Sequence, residues 1–96
     1  MRLILLLALL PSWAGAQSLQ CAEHAAMARH LAEGWGEARQ SIGLDSGDSV
    51  VETWANAATG TWTLTLTRPG GPTCMVASGY AWEAVEEAPV VLDDPA

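Results

Sequence analysis

The stretch Thr59–Gly79, TGTWTLTLTRPGGPTCMVASG, decides how this chain is read. Trp62, Leu64 and Leu66 alternate with Thr61, Thr63, Thr65 and Thr67, the period of two that marks a half-buried strand. Arg68-Pro69-Gly70-Gly71 then supplies a turn, because proline presets φ and glycine accepts a positive φ. The chain returns as Thr73-Cys74-Met75-Val76-Ala77. With Arg68 to Pro72 as the loop, Thr67 faces Thr73, Leu66 faces Cys74 and Leu64 faces Val76, and opposed residues share a sheet face. Cys74 thereby joins Trp62, Leu64 and Leu66 on an apolar face, where a covering helix is expected. The threonine face is expected to meet water.

Outward from the hairpin, the sequence CAEHAAMARHLAE, Cys21 to Glu33, is rich in good helix formers. Cys21, Ala25, Ala28, Leu31 or Ala32, and then Trp35 form its stripe, and Gly34 and Gly36 lie where the helix should stop. Glu37 to Leu44 is a weaker strand, with Ala38, Gln40, Ile42 and Leu44 alternating against Glu37, Arg39 and Ser41. Asp45-Ser46-Gly47-Asp48 is a turn, Val50 to Asn56 is the next strand, and Asn56 to Gly60 turns into the hairpin. Tyr80 to Val85 reads as a short strand or a helical turn. The expected fold is α+β: one N-terminal helix on an antiparallel meander of about four strands.

Residues 1–16 read as a signal peptide. Met1-Arg2 is a basic start, Leu3 to Leu10 an apolar run too short to span a bilayer, and Ala14-Gly15-Ala16 a cleavage site. Cys21 follows Ser18-Leu19-Gln20, which does not suit lipidation. Cleavage would leave 96 − 16 = 80 residues: a single domain over 17–85 and an acidic, flexible tail over 86–96. The remaining chain is expected to be soluble and not anchored to a membrane. So small a domain wants a staple, and export places it where disulfides persist. Cys21 and Cys74 are the only two cysteines, so a disulfide between them is expected, pinning helix to sheet; a metal site or an intermolecular bridge are the alternatives.

After cleavage Arg29, Arg39 and Arg68 stand against eleven carboxylates, 3 − 11 = −8, and there is no lysine. That balance argues against nucleic acid and anionic membranes, and it suits a basic periplasmic or extracellular protein as partner. Nothing in the sequence sets the oligomeric state.

The segments Gln40-Ser41-Ile42-Gly43-Leu44, Glu52-Thr53-Trp54, Thr59-Gly60-Thr61-Trp62-Thr63 and Cys74-Met75-Val76-Ala77-Ser78-Gly79, with Trp82-Glu83 at the end, form a pattern. It resembles a group of small exported alphaproteobacterial proteins that carry GTWT, a Pro-Gly turn and a C-x-VASG-x-x-W/F-E ending. The resemblance covers nearly the whole chain after the leader. It implies the periplasm of a Gram-negative bacterium and no particular chemistry. Ala77-Ser78-Gly79-Tyr80 also resembles the SASG-type loop of periplasmic inhibitors of C-type lysozyme, in which a serine enters the lysozyme cleft. The basic residue those inhibitors also use has no lysine to supply it here, and their fold is a larger all-β barrel.

Three constellations are candidates for chemistry. Cys21, His24, Met27 and His30 recur at three-residue steps, and soft sulfur and nitrogen ligands suit copper or zinc. That spacing drifts off one helix face, and a disulfide would consume the thiolate, so His24, Met27 and His30 are a weaker metal reading. For catalysis, Ser78 lacks a G-x-S-x-G context and neither histidine stands beside a recognisable partner, so no enzyme and no cofactor are expected. Glu52 is the carboxylate to watch. If Trp54 faces the helix, alternation puts Glu52 there as a lone desolvated carboxylate; a bulge or an edge register would expose it instead. Finally, Trp54 and Trp62 serve as core bulk. Ser78, Gly79, Tyr80, Trp82 and Glu83 form the candidate partner contact, with Trp82 either anchor or core plug. The function expected is a non-enzymatic protein-interaction module, with a metal-handling or lysozyme-inhibitor-like protein as the alternative.

Overall fold

The computed structural model describes residues 20–91. The leader expected over residues 1–16 lies outside them, as do residues 92–96 of the tail. Six elements follow in order: β1 (Cys21–Ala22), α1 (His24–Trp35), β2 (Ala38–Leu44), β3 (Val50–Ala55), β4 (Trp62–Thr67) and β5 (Thr73–Gly79). The strands form one five-stranded sheet in the order β1-β5-β4-β3-β2, with every pairing antiparallel. The expected α+β arrangement of one helix and an antiparallel meander is present, with five strands instead of four.

The extra strand comes from the start of the expected helix. Cys21 and Ala22 pair with Cys74 and Thr73 at the sheet edge, and Met75 donates its N–H to the Gln20 carbonyl. The helix therefore begins only at His24, with Glu23 as N-cap accepting from the Ala26 N–H. Propensity alone favoured helix from Cys21, but the ladder hydrogen bonds and the covalent bond to Cys74 hold that dipeptide extended. Cys21 and Cys74 are directly opposed and joined as a disulfide, so the bridge ties an edge strand to β5 and does not pin helix to sheet.

At its other end the helix runs past Gly34 to Trp35. Gly36 takes the left-handed conformation, φ 65°, and the N–H groups of Gly36 and Glu37 return to Ala32 and Leu31. A side chain at Gly36 would meet Asn56 Nδ2 at 2.6 Å, in a conformation that already favours glycine. Asn56 in turn donates to the Trp35 carbonyl at 3.0 Å and accepts from the Ala58 and Thr59 N–H groups. One asparagine thus fixes the β3–β4 turn and docks the helix end on it.

That turn overturns the expected faces. Asn56 donates to the Thr61 carbonyl and Gly60 to the Asn56 carbonyl, so Ala55 pairs with Trp62 and Trp54 with Thr63. Even-numbered residues of β3 thereby share a face with odd-numbered residues of β4. Trp54 faces the helix and is buried with Met27 and Leu31, as are Thr63, Thr65 and Thr73. The threonine face is inside. Trp62, Leu64, Leu66 and Cys74 lie on the opposite face, half-buried.

Buried Thr65 and Thr73 are tolerable because their hydroxyls are partnered. Trp54 Nε1 donates to Thr65 Oγ1 at 2.9 Å, and the Thr67 and Thr73 hydroxyls sit 2.7 Å apart. The Thr67–Thr73 and Leu66–Cys74 pairs occur as expected, but a bulge after Leu64 makes Val76 the extra residue and pairs Leu64 with Ala77. Tyr80 to Val85 is neither strand nor helix.

The disulfide closes a sequence separation of 53 residues. Replacing both cysteines with serine should lower the unfolding free energy by about 2–4 kcal/mol in denaturant titrations, with the Met75 amide losing exchange protection early. Thr65→Val removes the acceptor of a buried indole N–H and should cost about 1–3 kcal/mol. A neutral or stabilising result in the same titration would fit a solvated threonine face.

Candidate functional site

Two buried carboxylates mark the helix-covered side. The first, Glu52, is 1% exposed at the middle of β3, beside Trp54. It is not alone. His24 Nε2 lies 2.9 and 3.1 Å from its two oxygens, and Arg39 Nη1 donates to Oε2 at 2.9 Å. His24 reaches it from the first turn of the helix. Arg39 reaches it from β2, where a register shift between Arg39 and Ser41 accommodates Gln40 and leaves Arg39 opposite Trp54 and Ile42 opposite Glu52. The His24 ring also lies 6.0 Å from that of Trp54, tilted at 49°. The alternatives that expose Glu52 are thus excluded, and so is a lone carboxylate.

The chemistry of this cluster is cohesive. Both Glu52 oxygens are engaged, and the His24 and Arg39 side chains that engage them are half-exposed. The histidine–carboxylate pair, which the sequence did not reveal, has the form of an oriented base. Here, however, a guanidinium shares the same carboxylate, and the group locks β2, β3 and the helix together. His24→Ala with Arg39→Ala would strand a buried charge and should destabilise by about 3–5 kcal/mol. Glu52→Gln, which removes the buried charge and leaves two half-exposed partners, should cost less than half of that in the same denaturant titration.

The second carboxylate, Glu37, follows the helix cap and is 3% exposed. Its Oε1 is buried with no hydrogen-bond partner among the described residues. Glu37 lines a cleft of about 750 Å³ at the end of the sheet, together with His30, Trp35, Trp62, Ser78 and Tyr80. Trp35 is 53% and Tyr80 81% exposed, so two aromatic residues of the cleft are open to solvent. Trp62 belongs to the other sheet face, where it lies over Gly79: a Cβ on that glycine would come within 3.1 Å of the indole. The Trp62 Nε1–H donates to the Tyr80 carbonyl at 3.3 Å, fixing the backbone that carries Tyr80.

The candidate contact residues divide at this point. Ser78, Gly79 and Tyr80 line the cleft; Trp82 and Glu83 do not. Trp82 is half-buried, and its N–H donates to the Gly60 carbonyl, so its backbone anchors the segment to the β3–β4 turn. Ser78 stands within β5, not on a loop, and differs in that respect from the serine of the lysozyme-inhibitor pattern. The metal candidates are dispersed. The Cys21 sulfur is in the disulfide, Met27 is in the core, His24 is on Glu52, and His30 is at the cleft. Among the described residues no group of three His, Cys, Asp or Glu could hold a metal ion. Glu37 had no functional signal in the sequence, where it read as one of the residues alternating along a weak strand.

No protein-family model, curated protein or solved structure matches the chain. Among the described residues no helix is long and apolar enough to cross a membrane.

Proposed function

We propose that this protein is a non-enzymatic interaction module of an extracytoplasmic compartment, the periplasm or beyond, that seats a basic partner in the Glu37 cleft. One observation carries the reading: Glu37, whose buried Oε1 has no hydrogen-bond partner among the described residues, lines a cleft whose Trp35 and Tyr80 are exposed. Exposed tryptophan and tyrosine supply contact area at low entropic cost, and a desolvated carboxylate selects positive charge. The acidic balance of the chain adds steering of the same sign. Export is supported by the Cys21–Cys74 bridge, by the leader-like residues 1–16 and by the resemblance to small exported proteins.

The test is capture. Basic proteins from a periplasmic extract should bind the immobilised oxidised protein and elute with added salt. Tyr80→Ala should reduce capture at least fivefold with an unchanged melting temperature, since its side chain is exposed. Trp82→Ala, outside the cleft, should capture as well as the parent. Equal capture by the Tyr80 variant would contradict the proposal.

A further inference from the structure

Resting on the interaction reading above, we infer that the Glu37 cleft is a binding site for a primary alkylammonium group, the chemistry of a lysine side chain presented by a basic partner. The two buried carboxylates make the contrast. Glu52 has its partners built in, the His24 imidazole and the Arg39 guanidinium, at hydrogen-bonding distance. Glu37 is equally removed from water, yet its Oε1 meets no donor among the described residues. A buried carboxylate in that condition has lost its hydration and gained nothing in return. What it lacks is a positively charged donor: among the described residues no arginine lines the cleft, and His30, which does, makes no hydrogen bond to Oε1.

The walls fit the rest of such a ligand. Trp35 and Tyr80 offer aromatic surface, which attracts ammonium groups and covers the methylene stem behind them. Half-buried Met75 adds an apolar wall that adapts its shape. The volume of about 750 Å³ holds a side chain together with part of the backbone that carries it. A guanidinium is the poorer match. Its rigid fork wants both oxygens of a carboxylate presented in one plane, whereas at Glu37 Oε1 alone is buried without a partner among the described residues. A compact ammonium with three rotatable donors on a flexible stem needs only one acceptor.

The experiment is an NMR titration of the ¹⁵N-labelled oxidised protein with n-butylammonium, with 1-butanol and n-propylguanidinium as comparators. The expected result is saturable shifts at Glu37, Ser78 and Tyr80 with butylammonium. Butanol should bind at least tenfold more weakly and propylguanidinium at least threefold. Glu37→Gln keeps the shape, removes the charge and should weaken butylammonium at least tenfold, while Glu83→Gln, at an exposed carboxylate outside the cleft, should change nothing. Should the Glu37 variant fold poorly, Tyr80→Ala serves in its place with a several-fold loss. Equal binding of butanol or propylguanidinium, undiminished binding by Glu37→Gln, or shifts that map away from the cleft would each overturn the assignment. Tyr80-dependent capture of a basic protein without any butylammonium response would overturn the ammonium assignment alone. Butylammonium binding with capture insensitive to Tyr80 would support the assignment and overturn the interaction reading.

Discussion

The register of the β3–β4 hairpin is the constraint on which the rest of the molecule depends. Asn56 closes the turn through its own backbone and side chain and reaches across to the Trp35 carbonyl. Once Ala55 is opposite Trp62, every residue of both strands has its face assigned. Trp54 and Glu52 go under the helix, and with them Thr63 and Thr65. A slip of one residue would bring Leu64 and Leu66 beneath the helix in place of the threonines, and Trp54 Nε1 would lose its acceptor. The sheet has accepted a polar interior in which the Trp54 indole with Thr65, the Thr67–Thr73 hydroxyl pair and the Glu52 cluster are each satisfied locally.

Polar contacts of this kind explain how so small an apolar core suffices. Met27, Leu31 and Trp54 form the buried cluster, with Ala22, Ala28 and Met75 packed against it. Three further ties hold the elements: the Cys21–Cys74 bridge at one sheet edge, the Glu52 cluster toward the other, and the Asn56 link to the helix end. Each joins segments distant in sequence. Against that background Glu37 is the exception, because it is buried like Glu52, Thr65 and Thr73 and its Oε1 has no partner among the described residues.

Much of the architecture was legible from residues alone. Alternation located β2, β3, β4 and β5, and the Pro-Gly turn set the Thr67–Thr73 and Leu66–Cys74 pairs. The pairing of the two cysteines followed from their number. What the sequence misjudged was which side of the sheet the helix covers. Hydrophobicity pointed to Trp62, Leu64 and Leu66, but the β3–β4 loop is what couples Trp54 to the odd-numbered threonines. Cys21 and Ala22 read as helix because propensity carries no information about a partner strand far along the chain. The Glu52 cluster was half visible: alternation with Trp54 put it inside, but Arg39 reaches it through a bulge that no local pattern announces. The burial of Glu37 depends on how the capped helix end turns into β2, a tertiary outcome with no periodic signature. Of the expected contact segment, Ser78 to Tyr80 reach the cleft because β5 ends there, and Trp82 does not because its backbone turns back to Gly60.

Which face of the sheet the helix covers decides the placement of Trp54, Glu52 and the threonines. Nuclear Overhauser contacts from the Met27 and Leu31 methyl groups measure it directly. They should connect to the Trp54 indole ring, which packs with both residues in one cluster, and the Trp54 Nε1 proton should exchange slowly behind Thr65. Contacts from those methyl groups to Leu64 and Leu66, with a rapidly exchanging Trp54 indole proton, would place the threonines outside and contradict the account.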